Sequence, residues 1–102
     1  MIKRDNTGCL ISEQERDFIT NREYNLAYEQ FIAEGRSKQY AKSAARLHAL
    51  QFLDNYIASY EAAVIRDIKC LLDDNYSIPE IINKLNVDEA LIKEIQEKGN
   101  VV

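Results

Sequence analysis

Residues 37–74 read SKQYAKSAARLHALQFLDNYIASYEAAVIRDIKCLLDD, and this stretch decides the fold. It holds neither Gly nor Pro, the two residues that most readily end a helix. Leu50, Leu53, Ile57, Tyr60, Val64, Ile68 and Leu71 step by three, four, three, four, four and three, the spacing of one helix face. Ala45, Ala49, Phe52, Tyr56 and Ala63 widen that stripe. As one helix the stretch spans about 54 Å, whereas a compact domain of this size has a radius of gyration of about 13 Å. The helix therefore breaks, with Asp54-Asn55 and Ser59 as the candidate positions, or it outruns its domain. In the second case a partner chain must cover its stripe.

Upstream, Ser12-x-x-Glu15 has the form of a capping box, in which Ser accepts from an orphan amide and Glu reaches back. A helix is expected from there to about Ala33, either whole or split near Asn21, where Thr20-x-x-Glu23 repeats the signal. Phe18, Ile19, Ala27, Phe31 and Ile32 give it an apolar side, and Gly35 closes it as a left-handed C-terminal residue. Residues 1–11 have no period and read as an irregular lead-in. Downstream, Asn75 suits the left-handed end of the long helix, and Ser77-x-x-Glu80 is a third capping box with Pro79 in the first turn. Ile81, Ile82 and Leu85 belong to a short helix that Asn86 stops. Asp88 caps a last helix, which carries Leu91, Ile92 and Ile95 and ends at Gly99.

The expected fold class is all-α, in one domain over 1–102: the lead-in at 1–11, a helical hairpin with one long helix over 12–74, and two short C-terminal helices at 75–99. Two helices of about ten residues are marginal alone. The tail should therefore fold back on residues 64–74 as a three-helix cluster, with Leu85 and Ile92 near its centre.

The chain of 102 residues is 46% hydrophobic and 29% charged, which excludes wholesale disorder. One Pro and three Gly are too few for the turns of a β-sandwich or barrel. Uncharged runs reach only seven residues, so neither a transmembrane segment nor a signal-peptide core is expected. The formal charge of −4 is uneven: residues 1–70 carry ten basic and ten acidic side chains, residues 71–102 three and seven. Cys9 and Cys70 stand far apart, with no CxxC pair, and read as reduced thiols of a cytoplasmic protein.

The segment NYSIPEIINKLNVDEALIKEI, 75–95, resembles the short helix-turn-helix segments of bacterial regulators and the C-terminal tails of some transposase-related proteins, over about residues 72–96. Ser77, Ile78, Glu80, Ile81, Leu85, Val87 and Ile92 match the pattern. Ile82 departs from it where a small Ala is usual, and Asn86 where Gly is usual. The resemblance implies a DNA-reading helix over 88–98. That helix carries Asp88, Glu89, Glu94 and Glu97 against Lys93 and Lys98, a poor complement to phosphates. The macrodipole explains the acids of its first turn without DNA.

Other chemistry is sparse. His48, the one imidazole, has no acid within four residues and reads as a helix-surface or helix-contact residue. No catalytic, metal-ligating or cofactor-binding set assembles, so neither an enzyme nor a cofactor is expected. Arg36, Lys38, Lys42 and Arg46 form a basic run with no acid between Glu34 and Asp54, and Lys38, Lys42 and Arg46 share a helix face. They are the interaction candidates, together with Tyr56, Tyr60, Tyr76 and Ile82. The leading expectation is a small regulatory protein that binds an unidentified protein partner and forms a homodimer, without a membrane. A helix-turn-helix DNA-binding regulator is the alternative, with nucleic acid possible but not favoured.

Overall fold

The structure, a computed structural model, describes residues 1–99. It is all-helical, with four helices and no strand among the described residues: α1 Glu13–Ala33, α2 Lys38–Asp73, α3 Ile78–Leu85 and α4 Glu89–Gly99. The chain groups into two compact units. A two-helix unit comprises Ser12–Ala58, and a three-helix unit comprises Met1–Ile11 with the described residues from Ser59 to Gly99.

α2 does not break at Asp54-Asn55 or at Ser59. Each of those residues costs at most about 0.7 kcal/mol in a helix interior relative to Ala, too little to end a helix rich in Ala, Leu and Ile. The boundary between the units nevertheless falls in that stretch, at Ala58 and Ser59.

In the two-helix unit, Ser12 accepts a hydrogen bond from the Glu15 amide at 3.2 Å and starts α1. The second capping signal goes unused. The Thr20 hydroxyl donates to the Arg16 carbonyl at 2.8 Å instead, and α1 runs on unbroken. Gly35, at φ +84°, closes it: the Arg36 amide donates to Phe31 O and the Gly35 amide to Ile32 O, both at 3.0 Å. Ser37 then caps α2 by accepting from the Tyr40 amide at 3.1 Å. The buried side chains of this unit are small: Ala27, Ala41, Ala45 and Ala49, with Ile19. Phe18 and Ile32, expected on the covered side of α1, are exposed, Phe18 at 64%. Leu50 heads the expected stripe of α2, yet it is 49% exposed, because the Ala row beside it faces α1.

The three-helix unit closes around larger side chains. Ile68 of α2, Ile81 of α3, Val87 of the connecting turn and Ile92 of α4 are fully buried, with Val64, Leu91 and Ile95 around them. Leu85, expected at the centre, is only half-buried; Ile81, one helical turn earlier, takes that place. Asn75 (φ +66°) ends α2 with the same pair of bonds as Gly35 ends α1: Tyr76 N–H to Leu71 O and Asn75 N–H to Leu72 O. The capping box at Ser77 and Glu80 is complete, and Asn86 (φ +54°) turns the chain from α3 into α4.

The lead-in is irregular, and it is also docked. The Ile2 amide donates to Asn86 O and the Asp88 amide to Ile2 O, both at 2.8 Å, a single parallel bridge beside Val87. Leu10 and Ile11 are buried. Arg4 clamps the segment, donating to Glu94 at 2.9 Å, to Glu61 at 3.3 Å and to Gly8 O at 2.8 Å.

Candidate functional site

A two-helix layer has two broad sides and too little chain to cover either. On one side of the two-helix unit, α1 and α2 leave an open groove of about 580 Å³. Thr20, Asn21 and Tyr24 line it from α1; Lys42, Ser43, Arg46, Ala49 and Leu50 line it from α2. The groove exists because the Ala row lets the helices approach closely while the longer side chains beside that row stand up as walls. Leu53 and Ile57, three and seven residues after Leu50, share its helix face and are half-buried.

Contacts within the layer fix the register of its helices. Glu23 lies 3.4 Å from the His48 imidazole, and Phe31 meets Tyr40 edge-on with ring centroids 5.7 Å apart. His48 is thus a helix-contact residue. Away from the groove, Arg22 sits over Phe18 at 5.8 Å and Arg36 over Tyr40 at 5.0 Å, so these exposed rings already carry a guanidinium. Among the described residues, neither Lys42 nor Arg46 has an ion-pair partner.

The eight nominated residues divide between the two units. Lys42 and Arg46 share the groove, while Arg36 and Lys38 are exposed near the start of α2. Tyr56 is half-buried and stacks on Phe52 at 6.4 Å. Tyr60, Tyr76 and Ile82 belong to the other unit, where each packs half-buried against the core. Lys84 covers the Tyr76 ring at 5.2 Å. Sequence reasoning did not nominate Thr20, Asn21, Tyr24 or Leu50 for an exposed groove. The available signal was Ala41, Ala45 and Ala49 at steps of four, which competes with Leu50 for the covered side of α2.

In the three-helix unit, α3, the left-handed Asn86 and α4 form a compact helix pair. The cations of α4 are turned on its own acids: Lys93 lies 3.2 Å from Glu89 and Lys98 3.3 Å from Glu94. Arg4 and Lys98 hydrogen-bond the Glu94 carboxylate and lower its pKa, partial burial opposing them; the Arg4 guanidinium is raised in turn. Cys9 and Cys70 are both free thiols. No three His, Cys, Asp or Glu gather as a metal site among the described residues, and no helix there is long and apolar enough to cross a membrane. Compared with family models, curated proteins and solved structures, the chain matches none of them.

Proposed function

We propose that this chain is a small interaction or regulatory protein of the cytoplasm, without catalytic activity, that binds other proteins and itself through the groove side of its two-helix unit. On this reading, residues 12–74 act as a helical hairpin whose long helix presents the binding face. The supporting observation is the uncovered apolar wall at Leu50, beside two cations with no partner of their own. An apolar groove with a few polar groups at its rim suits a protein partner. DNA binding through 77–98 is the second reading. It stands lower because the α4 cations pair within their own helix and the segment from Leu71 is acidic.

Immobilised protein incubated with nuclease-treated lysate is the test. Bound protein should survive the nuclease and be lost with Leu50→Glu. Capture that disappears with nuclease, or duplex binding at physiological ionic strength that fails in Lys42→Glu, would favour the DNA reading instead.

A further inference from the structure

We infer that the groove side is occupied by a second copy of this chain, laid antiparallel across it, so that two two-helix units close into a four-helix bundle. This rests on the reading of that side as a face that binds other proteins and itself, and goes beyond it by fixing the register in which the second copy lies. Charge along the face carries the argument. One end is basic, with Lys42 and Arg46 on the groove. The other end is acidic on balance, with Glu13, Asp17 and Asp54 against the half-buried Arg16. Glu13 and Asp17 precede Thr20 and Tyr24 by seven residues, two helical turns, and so stand on the groove side of α1. The Glu23–His48 and Phe31–Tyr40 contacts set α1 antiparallel to this part of α2, with Asp17 level with Asp54. Glu13, Asp17 and Asp54 are all exposed.

Leu50 lies four residues from Arg46 and four from Asp54, midway between the ends. A two-fold axis passing across the helices at Leu50 brings the basic end of each copy over the acidic end of the other, and does so twice. Leu50 then meets its own symmetry mate, flanked by Leu53 and Ile57. A two-fold axis along the helices would set basic end against basic end. An acidic peptide or a nucleic acid fits Lys42 and Arg46 but is repelled at the Glu13, Asp17 and Asp54 end.

The area also suffices. A helix of the length of α1 is about 31 Å long, and two helices side by side are about 20 Å wide, or about 600 Å² per copy. The total, about 1,200 Å², reaches the lower limit of stable protein interfaces.

Sedimentation equilibrium of the purified chain at micromolar concentration should give about twice the 11.8 kDa of one copy. Lys42→Glu with Arg46→Glu, and separately Asp17→Lys with Asp54→Lys, should each halve that mass. An equimolar mixture of the two variants should restore it. A monomeric wild type, or a mixture that stays monomeric while both variants keep their helical circular dichroism, overturns the inference. Should either variant lose its helix, mild oxidation of Leu50→Cys in a Cys70→Ser background replaces it. A covalent dimer there, absent from Glu34→Cys in the same background, supports the register, and its absence overturns it. A monomeric wild type whose capture of lysate protein still depends on Leu50 sinks this inference and the self-binding half of the proposed function, and leaves binding to other proteins standing.

Discussion

The three-helix unit closes around Ile68, Ile81, Val87 and Ile92, each at 0% exposure, whereas the two-helix unit closes around Ala41, Ala45 and Ala49 and leaves Leu50 and Phe18 in solvent. Fully burying a branched side chain is worth about 1.5–3 kcal/mol, and an alanine methyl far less. One unit thus gathers its largest apolar groups into a shared interior with three helices and a docked strap. The other spends small residues on its internal contact and keeps large ones outside.

The largest effect should come from Ile81→Ala. It empties the centre of the three-helix unit and should cost about 2–5 kcal/mol. Hydrogen exchange should show lost protection from Ile78 to Ile95, while the amides of α1 keep theirs. Equal loss in both units would break the contrast between them. Next, Ala45→Leu forces bulk between α1 and α2, and overpacking of this kind costs about 1–3 kcal/mol. The His48 ring resonances should report its separation from Glu23, with the Ile81 region unmoved.

Arg4→Ala should cost about 1 kcal/mol, a modest figure because Glu94 and Glu61 remain about a third exposed and are screened. Its pH dependence sharpens the assignment. Glu94 has a lowered folded pKa, so its pairing with Arg4 stabilises fully above the ordinary value of 4.5 and is lost as pH falls through the lower, folded one. Acid titration followed by Ile2 amide exchange should show that loss in the wild type and a smaller one in Arg4→Ala. The smallest effect belongs to Lys84→Ala. This exposed cation covers Tyr76, and its removal should change thermal stability by less than about 0.5 kcal/mol.

Punctuation was the legible part of the sequence. Ser12, Gly35, Asn75, Ser77 and Asn86 act through their own backbone or the next turn, so local sequence was enough to place the helix ends. Which side of a helix is covered depends on what lies across from it, and there the reading slipped. The period starting at Leu50 is real, yet Ala41, Ala45 and Ala49 face α1, because close approach of two helices favours small residues over large ones. Leu85 and Ile81 sit one turn apart on α3, and local sequence does not decide which becomes central; Ile81 shares its core with Leu10, 71 positions earlier. Such a pairing leaves no local trace. The groove escaped for the same reason: its walls come from two helices, and only their register brings Tyr24 to Arg46.

The bridge between Ile2 and Val87 also orders events in time. Ser12–Ala58 is an uninterrupted segment, inserted between the two stretches of chain that make up the other unit. Joining Ile2 to Asn86 and Asp88 closes a loop of about 85 residues, and by chain statistics alone this costs about 2 kcal/mol more than closing one of ten. Pairings between neighbours in the sequence, α1 with the start of α2 and α3 with α4, have no such toll and should form first. The strap at residues 1–11 latches last, and on unfolding it should be first to let go. The amides of Ile2 and Asp88, which form the two sides of one bridge, should then exchange at a common rate, faster than Ile92 at the core beneath them.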